Sequence, residues 1–148
     1  MKTLVSSLAL ALIALVSTAA SYGETGWTDN YEKALADAKA QNKKVLIDFT
    51  GSDWCVWCKR LNKEVFSTEK FKDYAAKNLI LVEADFPQMK KLPERVQAQN
   101  ERLQNQFKVQ GYPTVFLLDP NGKKLMELGY EEGGPDAFIA KLDRAVKK

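Results

Sequence analysis

The sequence contains no histidine and only two cysteines among its 148 residues. The absence of histidine excludes acid–base catalysis by imidazole, nucleophiles activated by histidine, and zinc sites with a histidine ligand. An excess of charge is also missing, because 22 Lys and Arg residues and 19 Asp and Glu residues leave a formal net charge of +3. So small a charge, without basic runs, gives no indication of a nucleic-acid or anionic-membrane partner. Any enzyme chemistry must therefore use thiols, carboxylates, amines or phenols.

The sequence also lacks an apolar run of the roughly 20 residues that a bilayer-spanning helix needs. Its first residues have the pattern of a cleavable signal instead: Lys2 is basic, the apolar run Leu4–Val16 is short, and small residues follow at 17–20. We therefore expect a signal peptide at residues 1–20, export to the periplasm or beyond the cell, and one globular domain at 21–148. An uncleaved membrane anchor is the alternative interpretation.

Short apolar runs indicate the strands of this domain. Almost wholly apolar segments at 45–49, 79–84 and 114–118 predict buried strands, and the turn signal at 119–122 predicts a hairpin into a fourth strand at 124–128. Helical segments lie between and around the strands, so the predicted fold class is α/β, with a mixed central β-sheet and helices on both faces. Strands separated by helices predict parallel pairs, and the hairpin predicts one antiparallel pair.

The helices follow from apolar residues at helical spacing. An amphipathic helix is predicted at about 29–41, and helical spacing runs again from Trp57 to Val65. Ser67 is expected to cap the next helix. Pro93 opens a polar helix, and the break at Gly133–Pro135 precedes the closing one.

The two cysteines, Cys55 and Cys58, are separated by two residues where a loop after the first strand turns into a helix. This spacing allows a disulfide, and the helix N-terminus offers unpaired N–H groups and the positive end of its dipole to the first thiol. Because such surroundings favour the attacking thiolate, Cys55 is the predicted nucleophile and Cys58 the more buried resolving thiol. A structural disulfide, worth roughly 2 kcal/mol for so short a loop, and a metal site are the alternatives.

The wider sequence resembles the thioredoxin family. The segment Val45–Lys59, VLIDFTGSDWCVWCK, is similar to that family's strand, loop and active-site helix, and Gly111–Thr114, GYPT, is similar to its cis-proline loop. The similarity covers most of residues 27–146, and Phe86–Pro93 resembles an insertion in a subgroup of exported bacterial members. The resemblance implies a thioredoxin fold and thiol–disulfide exchange without an organic cofactor or a metal.

The resemblance also implies roles for residues near the cysteines. Trp54 matches the tryptophan that shields the site, and Pro113 matches the cis-proline that guides the substrate backbone. Asp48 resembles the buried acid that moves the proton of the resolving thiol, although its loop is one residue longer than in thioredoxin. A structurally hydrogen-bonded aspartate is the alternative for Asp48. Trp57 and Tyr112 complete the expected client-binding surface, with helix packing as the other interpretation of Trp57.

The residues between and after the cysteines depart from those of oxidising relatives. Val56 and Trp57 replace the histidine that stabilises the reduced form in those relatives, so we expect a more reducing couple. Lys59 and Arg60 either add positive potential near the thiolate or are solvated helix charges. The predicted function is an exported, monomeric oxidoreductase that reduces or exchanges the disulfides of client proteins and is reset by a membrane-borne thiol electron donor. A net oxidase or disulfide isomerase, and a redox-inert thioredoxin-like binding or chaperone module, are the alternatives.

Overall fold

The computed structural model describes residues 26–146. The predicted signal peptide lies outside these residues. The strands of the described part are β1 (Trp27–Thr28), β2 (Lys44–Thr50), β3 (Leu79–Asp85), β4 (Thr114–Leu118) and β5 (Lys124–Leu128). Its helices are α1 (Tyr31–Gln41), α2 (Val56–Leu61), α3 (Glu69–Asn78), α4 (Glu94–Phe107) and α5 (Gly134–Val146), with a π-helical segment at Asn62–Phe66. None of the described helices combines the length and apolarity that crossing a bilayer requires.

The strands form a single mixed sheet in the order β1–β3–β2–β4–β5. Strand β3 pairs in parallel with β1 and β2, whereas β4 pairs antiparallel with both β2 and β5. The prediction of a mixed central sheet with helices on both faces is confirmed. The predicted antiparallel hairpin of β4 and β5 is confirmed, but the prediction that strands separated by helices pair in parallel is wrong for β2 and β4, which pair antiparallel.

The second antiparallel pair arises because α4 does not carry the chain back to the end of the sheet where β2 and β3 begin. Asn100, in the middle of α4, still donates a hydrogen bond to the backbone oxygen of Asp85 at the end of β3, over 2.9 Å. Strand β4 then begins beside the end of β2, with Thr114 opposite Phe49. Strand β4 starts at the end of the sheet where β2 and β3 finish, so it must run antiparallel to them. The loop before β4 therefore lies at the same end of the sheet as the loop after β2.

The central strand β2 separates two hydrophobic cores, because successive side chains of a strand point to opposite faces. Val45, Ile47 and Phe49 belong to the core beneath α1 and α4, and Leu46 belongs to the core beneath α2, α3 and α5. Asp48 follows Leu46 on the second face. The strand therefore carries one acid into the layer that holds α2.

The segment between β2 and β3 differs locally from its prediction. The continuous helical spacing from Trp57 to Val65 is divided in the structure into α2 and the π-helical segment. Helix α3 is capped by Thr68 rather than Ser67: the Thr68 hydroxyl accepts a hydrogen bond from the N–H of Phe71 at 3.3 Å. Ser67 is unsuited to the cap because its backbone is still helical, with φ −82° and ψ −5°, whereas Thr68 has the extended backbone of an N-cap residue.

Candidate active site

Cys55 and Cys58 form a disulfide at the N-terminus of α2, with their Cα atoms 5.3 Å apart. The exposed fractions of the two residues are 6% and 4%, so the oxidised pair shows little of the predicted difference in burial. Cys55 is the N-cap of α2, and its Sγ accepts a hydrogen bond from the N–H of Cys58 at 3.2 Å. A backbone donor directed at this sulfur would also stabilise a thiolate there once the disulfide is reduced.

The loop before α2 is held in place from the end of the sheet. The N–H of Cys55 donates to the carbonyl of Gly51 at 2.8 Å. Ser52 donates to the Asp85 carboxylate through its N–H at 2.9 Å and through its hydroxyl at 2.6 Å, and Lys90 pairs with the same carboxylate at 2.9 Å. Because Asp85 ends β3, the position of the disulfide is fixed by the strand beside β2.

The segment Phe86–Pro93 packs on the same loop and belongs to the site. Asp53 accepts hydrogen bonds from the N–H groups of Gln88 and Met89 at 3.0 and 2.8 Å. The hydrogen bond from Gln88 is the largest cause of the lowered pKa of Asp53, because backbone donors favour the ionised carboxyl. The insertion and the active-site loop are thus joined by backbone hydrogen bonds to the ionised carboxylate of Asp53.

Trp54 lies in an aromatic cluster at the border of this insertion. Its indole N–H donates to the carbonyl of Phe86 at 2.8 Å, and its ring meets that of Tyr112 edge-on with centroids 6.0 Å apart. Tyr112 stacks in turn on Phe86, with centroids 5.1 Å apart. Phe86 was not among the predicted site residues. Its side chain is the only aromatic one in the segment 86–93, and this was the available signal, but its partners follow only from the fold.

Trp57, Tyr112 and Pro113 line one open groove of about 460 Å³, together with Tyr130 and Glu132. The peptide bond before Pro113 is cis, in agreement with the resemblance. Trp57 packs on Tyr130 with ring centroids 5.2 Å apart, yet 52% of its surface stays exposed. Trp57 therefore has both features that the sequence left open, packing and an exposed apolar surface.

Arg60 strengthens the wall of this groove. Its guanidinium lies 5.3 Å from the ring centroid of Trp57 and 5.0 Å from that of Tyr130. Its Nε donates to Glu64 at 3.0 Å, and the Tyr130 hydroxyl donates to the same carboxylate at 2.7 Å. Both hydrogen bonds lower the pKa of Glu64, and the one from Tyr130 has the larger effect. Arg60 is thus bound to its neighbours, and Tyr130 joins the site through contacts that no sequence motif indicates.

Asp48 lies on the inner side of the disulfide, in a cavity of about 340 Å³ that Cys58 also lines. It is 7% exposed, and its Oδ1 atom accepts no hydrogen bond from the described residues. Burial raises the pKa of Asp48 well above its usual value, and the charges of Glu83 and Asp85 raise it further. The alternative of a structurally hydrogen-bonded aspartate finds no support at Oδ1. An acid of this kind exchanges its proton nearer to neutral pH than an ordinary aspartate.

The structure brings the predicted site residues together on two sides of one disulfide. Cys58 and Asp48 line the same cavity on the inner side, and the groove lies on the outer side. Site residues that the sequence analysis did not identify are Glu83, Phe86, Tyr130 and Glu132. Within residues 26–146, the structure contains no group of three or more His, Cys, Asp or Glu side chains that could hold a metal ion.

Gly51 offers a direct test of how Trp54 is placed. A Cβ at residue 51 would lie 2.5 to 2.8 Å from three atoms of the Trp54 ring, so Gly51→Ala must displace the indole. We expect a loss of about 1 to 3 kcal/mol in the free energy of unfolding, measured by urea denaturation. The Trp54 indole N–H resonance should also shift as its hydrogen bond to Phe86 is disturbed.

Gly111→Ala is the matched control for this substitution. A Cβ at residue 111 meets no atom within 4 Å. Its unfolding free energy should therefore stay within about 0.5 kcal/mol of the parent value. Equal losses for the two variants would contradict the contact between Gly51 and Trp54.

Comparison with known proteins points to one group. The model of the thioredoxin-like family matches residues 26–120. The disulfide bond reductase DsbH of Chlamydia pneumoniae is 38% identical over 119 residues, which cover 80% of this chain and 72% of that protein. The thiol:disulfide interchange protein DsbD of Pseudoalteromonas atlantica is 34% identical over 97 residues, 66% of this chain but only 15% of that protein. A solved DsbH oxidoreductase superimposes with a TM-score of 0.78 at 34% identity, covering 96% of this chain and 95% of that chain.

Proposed function

The chain belongs to the thioredoxin-like family and is a thiol–disulfide oxidoreductase, and on that premise we propose that it works as a reductase of disulfides in exported client proteins. The observation that carries the proposal is the disulfide between Cys55 and Cys58 at the start of α2. The reducing direction is supported by the name of the 38% identical relative, a disulfide bond reductase. It is also supported by Val56 and Trp57, which leave no imidazolium between the cysteines to stabilise the reduced form.

The reaction proceeds through two exchanges of sulfur partners. The Cys55 thiolate attacks one sulfur of a client disulfide, so that a mixed disulfide forms and the other client sulfur leaves as a thiolate. Cys58 then loses its proton to Asp48 and attacks Cys55. This second step releases the remaining client sulfur as a thiolate and restores the Cys55–Cys58 disulfide. The client gains two electrons, and both of its thiolates take protons from the solvent.

The groove beside Pro113 is the proposed site for the client chain. Its aromatic wall, with Trp57 and Tyr112, offers exposed apolar surface next to the disulfide. Aromatic side chains of this kind bind varied partners through a large contact area and few torsion angles. Trp54 shields the opposite border of the disulfide in this proposal.

Export and recharging complete the proposal. The basic, apolar and small-residue pattern of residues 1–20 supports secretion to the periplasm or beyond the cell, where disulfides persist. A reductase there needs a source of electrons, so we assign the resetting step to a membrane-borne thiol donor that reduces the Cys55–Cys58 disulfide by exchange. The chain acts as a monomer and uses no organic cofactor or metal.

Insulin reduction tests this function. The purified protein should accelerate the precipitation of insulin by dithiothreitol, and Cys55→Ser should remove that acceleration. Equilibration with glutathione should give a reduction potential near thioredoxin's roughly −270 mV. A potential near roughly −120 mV would make the protein an oxidant. An inert Cys55 toward iodoacetamide, with no insulin reduction, would make it a binding module.

A further inference from the structure

Glu83 lies beside Asp48 in the sheet and lines the same cavity. The parallel register of β2 and β3 places the two residues opposite each other, and both side chains point toward α2. Asp48 is buried, whereas Glu83 is exposed. The cavity therefore joins the sulfur of Cys58, a buried carboxyl group and a second carboxyl group that reaches solvent.

The cations of the cavity wall are bonded to other groups. Lys59 from α2 donates to the carbonyl of Asp53 at 2.8 Å, and Lys72 from α3 donates to the Glu69 carboxylate at 2.9 Å. Neither of these contacts is an ion pair with the carboxylate of Asp48. Attraction by these lysines therefore gives no account of how an acid is kept at this position.

Asp85, the other acid that acts on Asp48, is also engaged. Its carboxylate binds Ser52 and Lys90 at 2.6 to 2.9 Å. Although Glu83 reaches solvent, the cavity removes part of the water around its carboxyl group, and this desolvation is the main cause that raises its pKa. The charge of Asp85 raises the pKa of Glu83 further, and the charge of Lys90 lowers it. Glu83 is thus the cavity carboxyl that has both a direct strand contact with Asp48 and access to water.

We infer that Glu83 is a positioning residue of the resolving step: it keeps Asp48 basic and passes the proton of Asp48 to solvent. This inference rests on the proposed function, since it concerns how Cys58 loses its proton. Three observations carry it, namely the register pair with Asp48, the shared cavity, and the Oδ1 atom of Asp48 without a donor.

The relay balances in protons at each transfer. Asp48, as a carboxylate, takes the proton of the Cys58 thiol, and the new thiolate attacks the mixed disulfide at Cys55. The proton then moves from Asp48 to the Glu83 carboxylate and from Glu83 to water. Both carboxylates are restored before the next turnover, and the sulfur chemistry is otherwise unchanged.

Glu83→Gln tests the inference in a single turnover. The reduced protein is mixed with a saturating disulfide peptide, and closure of the Cys55–Cys58 disulfide is followed by tryptophan fluorescence from pH 5 to 9. Because Gln removes a negative charge beside Asp48, we expect the midpoint of the rate profile to move to lower pH. The plateau rate should fall about three- to tenfold, because the base is weaker and its exit to water is lost.

Two comparisons separate the relay from a structural defect. Glu127→Gln removes the same charge from a strand residue that pairs with Phe116 on the opposite face of the sheet, and it should leave rate and midpoint unchanged. In an Asp48→Asn background, Glu83→Gln should have no further effect, since Glu83 acts through Asp48. An equal effect in both backgrounds would overturn the inference.

A readout without turnover distinguishes this inference from the proposed function. The carboxyl ¹³C resonance of Asp48 in the oxidised protein should titrate at lower pH in Glu83→Gln than in the parent protein. An unchanged titration together with normal insulin reduction would overturn the relay alone. Loss of insulin reduction in the parent protein would overturn the proposed function, whatever the titration shows.

Discussion

Replacement of Cys58 with serine should turn the protein into a trap for its clients. The Cys55 thiolate still attacks a client disulfide in this variant, but no second thiol lies close enough to resolve the mixed disulfide. Resolution by an external thiol lacks the high effective concentration of Cys58, whose Cα lies 5.3 Å from that of Cys55. We therefore expect disulfide turnover to fall on the order of a thousandfold.

The trapped species can be measured directly. Cys58→Ser, exported in cells and quenched with acid, should give high-molecular-weight adducts on non-reducing gels that dissociate on reduction. Cys55→Ser is the matched control, because it keeps one thiol at the same helix terminus and lacks the predicted nucleophile. Adducts of equal abundance in both variants would contradict the assigned order of attack, and more adducts in Cys55→Ser would reverse it. The absence of adducts in both would argue against client exchange.

The reactive pair could be predicted from the sequence because its signal is local. Two cysteines separated by two residues at a strand–helix junction favour thiol–disulfide exchange over a structural disulfide or a metal site. The strands at 114–118 and 124–128 and the turn between them have clear patterns of their own. The structure contains the disulfide, and its strands β4 and β5 begin and end at the predicted residues. Such features need only the periodicity of neighbouring residues.

The direction of β4 could not be predicted in the same way. It depends on where α4 ends, and that position is set by contacts such as the one between Asn100 and Asp85. The prediction that Ser67 caps α3 was wrong because Ser67 still belongs to the π-helical turn that precedes α3. Periodicity and capping preference cannot resolve a choice between two adjacent hydroxyl residues when it depends on how the preceding helical turn closes.

The surroundings of the cysteines needed the fold most of all. Glu83 looks like the exposed position of an alternating strand, and only the register with β2 places it beside Asp48. Tyr130 lies in a loop and reaches Trp57 across the groove, although the two are distant in sequence. The reacting atoms are therefore easier to predict from the sequence than the residues that surround them.

Replacement of Asp48 with asparagine should stabilise the protein at alkaline pH. The wild-type carboxyl is buried, its Oδ1 atom accepts no hydrogen bond from the described residues, and its pKa in the folded state is raised. In the unfolded chain an aspartate titrates near about 3.9. Between these two pKa values the folded state holds the proton more tightly, so the stability of the wild-type protein falls as pH rises through the folded pKa. Asparagine has no such ionisation.

The stability difference between Asp48→Asn and the wild-type protein should therefore be smallest below about pH 4 and grow in favour of the variant as the pH rises through the folded pKa of Asp48. Urea denaturation of the oxidised proteins across this range measures it. Asp73→Asn, at an exposed position of α3, should stay within about 0.5 kcal/mol of the wild-type protein at every pH. Parallel stability curves for Asp48→Asn and the wild-type protein would show that Asp48 is not the buried, uncompensated acid described above. A gain in stability together with slower resolution would instead show that this acid is kept for catalysis at the expense of the fold.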